Sequence, residues 1–475
     1  WGADFNTLLS QGCVEMIDVA EQKYIHLANS IDEVNMRETL PIQIESLNAR
    51  LKSEVLSESE KEKLKLTISE LNEKLWRLSK RPKFTHCELD PSSILGLTIE
   101  MIPYANHNQG PRNTYQGNMG KQAQAAPHPT HMYRFEGNQK TLSYPEQPLL
   151  FTQADVLTGI DYFPQTTNLM VAIMPLHGFT QEDAFIVNKS SLDTGKLRIT
   201  LYYTIKVKIQ SSQKFTENLQ RPPLREGDSP ERYKYIGANG LPAIYAPLGP
   251  RDCVVGIVQS SRDNPEVKYN KSVYLKASQE GIVTDIRVTN SDEGIVVHVK
   301  LRSTRMPIEG DKLAPRHAQK GTIGLILPPE DMPFDQFGVQ PDILIDPHSI
   351  PSRMTMAYIY EILFGREVLV TGRRRNATPF RKPNAQEVCR TLAMHGIEPQ
   401  GMRIMYSGIT GMPFQSQIFM GPAAFQSLKH LVTEKVHACR TAPRKIESLE
   451  PIGGKKVQGA LRSGEMENFN YFSHG

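Results

Sequence analysis

No Cys-x-x-Cys pair occurs in this chain; its five cysteines stand singly at positions 13, 87, 253, 389 and 439. That spacing shows neither a zinc site nor a disulfide framework, and scattered thiols suit a reducing compartment. Also missing is an apolar run long enough to span a bilayer, so an intracellular protein without membrane contact is expected. Charge of one sign is scarce, since 55 Lys and Arg face 51 Asp and Glu for a net of +4. A nucleic-acid role must therefore rest on local basic segments. A length of 475 residues allows two to four domains.

The most informative segment is Gly310-Asp311-Lys312-Leu313-Ala314-Pro315-Arg316-His317-Ala318-Gln319-Lys320-Gly321. Lys312, Arg316 and Lys320 recur every four residues, and a helical turn would stack them on one face. Like charges so placed repel, and a polyanion alongside reverses the sign. On its own, such a cluster reads most simply as a solvated surface. Gly310 and Gly321 permit close backbone approach.

Further blocks accompany it in order. They include Thr85-His86-Cys87-Glu88 with Gly110-Pro111-Arg112-Asn113, Gly120-Lys121-Gln122, and Gly178-Phe179-Thr180-Gln181-Glu182-Asp183-Ala184. Downstream lie Pro341-Asp342-Ile343, Pro347-His348-Ser349-Ile350-Pro351-Ser352-Arg353-Met354-Thr355, Lys435-Val436-His437-Ala438, Gly453-Gly454-Lys455-Lys456 and Gly464-Glu465-Met466-Glu467. Together they resemble the second-largest subunit of multisubunit DNA-directed RNA polymerases, in wording closer to eukaryotic, archaeal and large-DNA-virus enzymes than to bacterial ones. The likeness runs from Thr85 to Gly475. Trp1 follows no initiator Met, and the chain stops soon after Glu467, so a fragment is expected.

The resemblance implies an α+β, multidomain fold. Residues 1–84 form an external-2-like region. Residues 85–196 and 297–475 are two parts of a hybrid-binding domain around a double-psi β-barrel, split by a β-rich, wall-like insertion at 197–296. Within the first region, Ile44, Leu47, Leu51 and Val55 form one stripe, while Leu64, Ile68, Leu71, Leu75 and Leu78 follow a heptad. They predict a helical hairpin over 42–81, with Ser57 to Glu60 between its arms; a long coiled coil is the rival reading. Further helices are expected near Met354 to Phe364 and near Ala423 to Val436.

Site roles follow from the same resemblance. Arg112, expected on a loop, and Arg353, placed before a helix, become grips on the nucleotide triphosphate, for which a planar fork suits better than a point charge. Lys312 and Lys320 lie by the RNA 3′ end and the reacting phosphate. Lys435, His437, Lys455, Lys456 and Arg462 line the RNA–DNA hybrid, Lys121 and Gln122 lie near the RNA, and Arg316 and His317 also bind nucleic acid. Glu182 and Asp183, otherwise an ordinary polar turn, face a magnesium that arrives with the nucleotide. A P-loop ending at Gly120-Lys121 fails because Tyr115 holds the place of its first Gly. No Asp-x-Asp-x-Asp run exists here, and in this family the largest subunit supplies it to hold Mg2+. The implied partners are that subunit, other polymerase subunits, template DNA, the hybrid and ribonucleoside triphosphates. The implied activity is nucleotidyl transfer from a shared site, with the isolated chain inactive. The alternative is a non-catalytic RNA-binding or assembly protein of the same fold. Location would be the nucleus in a cellular eukaryote, or host cytoplasm or virion for a virus. Leu313, Pro315 and Ala318 stand where Phe, Ser and Gly are commoner, and Cys439 where Arg is.

Overall fold

The computed structural model describes residues 5–53, 58–210, 215–224, 229–261, 268–276, 279–291 and 294–475. Two compact units emerge: Trp1–Met101 with Thr378–Lys382, and Ile102–Ala377 with Pro383–Gly475. No helix among the described residues is long and apolar enough to cross a membrane.

The first unit is dominated by helices α1 (Ile31–Ser53) and α2 (Glu58–Ser79). Arg37, early in α1, donates to the carbonyls of Leu78 in the last turn of α2 and of Arg81 just past its end, so the helices run antiparallel. Leu40, Ile44, Leu47 and Leu51 form the covered stripe of α1, as Leu64, Ile68, Leu71, Leu75 and Leu78 do for α2. Val55 and Ser57 lie outside the described residues. Helix α1 begins well before residue 42. Glu33 N–H donates to Ser30 Oγ at 3.3 Å and its carboxylate accepts from Asn29 N–H at 3.1 Å, a Ser-x-x-Glu start signal.

The second unit is built on a closed ring of six strands. They are β1 (Thr167–Ile173), β2 (Ala184–Asn188), β3 (Lys312–Pro315), β4 (Gly321–Leu327), β5 (Ile343–Ile345) and β6 (Ile418–Ser427). Around the ring the order is β3-β4-β2-β5-β1-β6 and back to β3. Pairs β2–β4 and β1–β5 are parallel and the rest antiparallel. Leu169, Val171, Phe185, Val187, Leu313, Ile323, Ile343 and Phe425 fill its core. A separate five-stranded sheet orders Asn138–Leu142, Ile199–Ile209, Gly294–Arg305, Gly281–Ser291 and Pro247–Leu248. It carries its own valine-rich core.

Helices α3 (Gly110–Gly120) and α4 (Met356–Thr371) belong to the barrel unit. A Cβ on Gly421 of β6 would meet Ile362 of α4 at 2.7 Å, so the glycine lets α4 lie directly on the barrel. The helix expected over Ala423 to Val436 is instead mostly β6, followed by only a short turn at Val432–Lys435. Nearly every residue of β6 is buried, and an apolar run buried on both faces has no period to separate strand from helix. The basic dodecamer is likewise strand, turn and strand rather than helical turn.

That turn is fixed from inside. Glu361 of α4, 2% exposed, accepts from Arg316 Nη2 at 2.9 Å, from His317 Nε2 at 2.5 Å and from the Ala424 N–H at 3.3 Å. Asn108 donates to the other His317 ring nitrogen at 3.2 Å. The expectation that Arg316 and His317 touch nucleic acid is therefore corrected: both are buried and committed to a carboxylate. Ala318 next in line has φ +58°, a conformation that explains why Gly is commoner there.

Burial would raise the Glu361 pKa, but the Arg316 charge and the His317 hydrogen bond outweigh it and hold the carboxyl at about 2. Burial pushes the His317 pKa below its usual value against the pull of Glu361, leaving the ring neutral. Both folded-state values lie below the unfolded ones, so the unfolded chain binds protons more tightly and acid destabilises. His317 acts as pH falls through about 6.5, and Glu361 as it falls from about 4.3 toward 2. The Glu361 contribution is on the order of 3 kcal/mol. Thermal unfolding followed from pH 7 to 3 should show stability falling throughout. His317→Gln should flatten the limb that sets in below about pH 6.5 and keep the lower one; a profile parallel to wild type would refute the neutral histidine.

Candidate functional site

One rim of the barrel gathers most of the expected side chains. Lys312 opens β3 and pairs with Thr322, which pairs in turn with Ala184 at the start of β2. The Thr322 N–H donates to Asp183 O, and the Leu428 N–H beyond β6 donates to Lys312 O, each at 3.0 Å. Gly321 packs its bare Cα onto Asp183 O, and a Cβ there would meet the Phe185 ring at 2.5 Å. Just before Lys312, buried Asp311 receives both oxygens' worth of Arg305 at 2.9 and 2.8 Å, and the Val432 N–H at 2.9 Å. Lys312 therefore leaves a clamped segment, and the chain past β6 is tied to the same clamp.

Lys312 and Lys320 are half-buried. Burial presses the Lys312 pKa down, and the charges of Lys320 and Lys435 press it further. His430 donates from Nε2 to Gln122 Oε1 at 2.9 Å. Its pKa is lowered by burial first, then by Lys435, Lys320, Lys312 and Lys429. A groove of about 470 Å³ runs here, lined by Lys121, Gln122, Lys429, His430 and Lys435, and by Lys140 paired with Glu434 at 2.6 Å. Mutual repulsion of these cations is what a polyanion would relieve.

Arg112 lies in the first turn of α3, not on a loop. Arg353 closes the short helix Ser349–Arg353, two residues before the N-cap of α4. Its Nη1 donates to Gln319 Oε1 at 2.7 Å, and its Nη2 pairs with Asp183. Arg112 reaches Ala318 O at 3.5 Å. Burial and then the Arg353 charge lower its pKa, while Tyr115 and Asp183 oppose them. The two arginines and Asp183 thus share one neighbourhood at the rim.

Glu182 and Asp183 occupy a tight turn closed by Ala184 N–H on Gln181 O at 3.0 Å. Both have left-handed φ, +50° and +66°, where turns normally place Asn or Gly. Each such residue costs on the order of 1 kcal/mol. Glu182 is exposed and pairs with no other described residue. Magnesium takes one or two protein carboxylates and completes its shell with phosphates and water. Glu182 fits one such position, whereas Asp183 is already engaged with Arg353. Among the described residues no group of three or more His, Cys, Asp or Glu is placed to hold a metal, so no full cage is built here.

The remaining sequence candidates scatter more widely. His437 donates to Gly459 O at 2.8 Å and Lys455 to Thr433 O at 2.9 Å, so these two knit the 432–459 segment together. Lys456 is exposed on it, and Arg462 is exposed just beyond it. Four participants escaped the sequence reading: Gln319, Asp311, Lys429 and His430. Lys429-His430 carried a charge signal beside Lys435, whereas Gln319 and Asp311 gave none because their roles depend on partners distant in sequence.

Comparison with known proteins gives the family. The profile described as RNA polymerase Rpb2, domain 6 matches residues 98–457, and that for domain 5 matches residues 5–91. The chain is 34% identical to DNA-directed RNA polymerase II subunit RPB2 of Schizosaccharomyces pombe, over 99% of this chain and 39% of that relative. It is 37% identical to the same-named subunit of Encephalitozoon cuniculi, over 82% and 35%. Identity to DNA-directed RNA polymerase subunit Rpo2 of Saccharolobus shibatae is 35%, over 81% and 35%. The chain spans less than two fifths of these relatives. With most of its length inside the two profiles, the chain belongs to the Rpb2 family of second-largest subunits of DNA-directed RNA polymerases.

Proposed function

We propose that this chain forms one side of the catalytic centre of a DNA-directed RNA polymerase. The reaction is templated addition of a ribonucleoside triphosphate to an RNA 3′ end, with release of pyrophosphate. The observation that carries this reading is the convergence of Lys312, Lys320, Arg112, Arg353, Glu182 and Asp183 at one barrel rim. A pure nucleic-acid binder needs only the cations. The parallel pairs β1–β5 and β2–β4, joined side by side through β2–β5, support the double-psi form of the barrel. The five-stranded sheet supports a wall over 197–296, flanked by hybrid-binding segments 85–196 and 297–475 and preceded by an external-2-like region at 1–84.

Lys312 and Lys320 neutralise the RNA end and the reacting phosphate, and hold them in line for attack. Arg112 and Arg353 grip the triphosphate tail. Lys121, Gln122, Lys435, His437, Lys455, Lys456 and Arg462 follow the backbone of the RNA–DNA hybrid. Mg2+ stabilises the attacking and leaving oxygens when bound; Glu182, with Asp183 once released, would reach the ion that comes with the nucleotide. The missing carboxylates come from the largest subunit, so the partners are that subunit, other polymerase subunits and template DNA. Nuclear placement follows if the source is a cellular eukaryote.

In an assembled enzyme, Lys320→Ala should slow single-turnover addition about a hundred- to a thousandfold and leave hybrid affinity largely intact. Lys121→Ala should do the reverse, changing the salt slope of hybrid binding by about one unit at most. A wild-type rate for Lys320→Ala at saturating nucleotide would remove that lysine from the chemistry.

Arg112→Lys keeps the charge and loses the planar fork. It should raise KM for nucleoside triphosphates and lower kcat without weakening hybrid binding. Weaker hybrid binding with an unchanged KM would instead assign Arg112 to the nucleic-acid backbone.

A further inference from the structure

Arg353 is held on two sides by partners of different kinds. Gln319 is 1% exposed; its Nε2 donates to Thr355 Oγ1 at 2.6 Å and to Ser349 O at 3.1 Å, and its Oε1 accepts from Arg353 Nη1 at 2.7 Å. All three contacts fix the amide in one orientation, with its acceptor facing the guanidinium. The other partner, Asp183, is charged, and its side chain is 40% exposed. It sits in the strained turn, held by Thr322 N–H on its carbonyl at 3.0 Å and by the ion pair with Arg353. One partner is anchored and neutral; the other is anionic and open to replacement.

We propose that Gln319 is the positioning residue that keeps Arg353 aimed at the triphosphate, and that Asp183 is the internal anion which the triphosphate displaces from Arg353. This rests on the polymerase reading above. Without nucleotide, Arg353 lies near Arg112, and Asp183 offsets their repulsion. A triphosphate brings several negative oxygens to the same donors and outcompetes a single carboxylate. Asp183 is then freed beside exposed Glu182, where the cation carried by the nucleotide needs oxygen ligands. The exchange couples triphosphate recognition to cation recognition without any covalent step. A neutral amide at 319 is required, because an anchored carboxylate there would compete with the triphosphate and could not leave.

The test uses the assembled polymerase on an RNA–DNA hybrid whose RNA ends in a 3′-deoxynucleotide, so that binding is read without reaction. Inorganic tripolyphosphate and the matched nucleoside triphosphate are titrated with and without Mg2+. Asp183→Asn should bind magnesium-free tripolyphosphate more tightly, by up to about fivefold, and lose part of the tightening that Mg2+ gives. Gln319→Met should weaken tripolyphosphate about tenfold, and should add little on an Arg353→Lys background because the two act as a unit. Gln319→Glu keeps the side-chain shape and should weaken it too, with hybrid affinity unchanged. Unchanged or weaker magnesium-free binding by Asp183→Asn overturns the displacement, and additive losses for Gln319→Met with Arg353→Lys overturn the positioning role. If Arg353→Lys itself leaves tripolyphosphate affinity unchanged, the failure lies with the polymerase reading of the site.

Discussion

The buried carboxylate of Glu361 is the constraint on which the rim depends. It draws together the β3–β4 turn through Arg316 and His317, the helix α4 that carries it, and β6 through the Ala424 amide. Removing one partner of such a group would leave an uncompensated buried charge, the costly case for interior ion pairs. With the turn immobilised from within, Lys312 and Lys320 project from its two ends at a separation set by strand pairing. Arg316 and His317 thus serve the site without touching it. Of the closely spaced cations in the dodecamer, the structure uses one inward and two at the rim.

Several features were legible because they are local. The heptad of α2 and the stripe of α1 are visible in spacing alone, and Ser30 with Glu33 marked the true start of α1 although only the later stripe drew notice. The β-rich runs around 201, 282 and 296 are strands of one sheet. Legibility failed where burial is two-sided. In β6, the stretch Ala423-Ala424-Phe425 has no exposed face to show a period, so the helix expected from Ala423 onward is a strand there. Likewise a charge pattern cannot say which cation faces inward, since that depends on a glutamate 45 residues away from Arg316. Gln319 is silent for the same reason.

The acidic turn shows how much of the site is held under tension. Two successive left-handed residues, neither of them glycine, persist because neighbours over-determine them: a backbone bond from Thr322, a bare Gly321 and the Arg353 ion pair. Only the last of these is open to exchange. The backbone contacts keep Asp183 at the rim whatever its side chain does, so a change of partner there need not unfold the turn.

Charge accounting at the rim explains why the chain as a whole can be nearly neutral. Lys312, Lys320, Lys429, Lys435, Arg112 and Arg353 converge, against Glu182, a partly neutralised Asp183 and a Glu434 already paired with Lys140. Elsewhere, acids and bases pair off, as in Lys196 with Asp342 at 2.7 Å and Arg374 with Asp161 at 3.0 Å. The field is thereby concentrated where neighbouring lysines, after burial, press down the pKa values of Lys312 and His430, a sign that the rim is under-supplied with negative charge. A polyanion lying at the rim would relieve that imbalance.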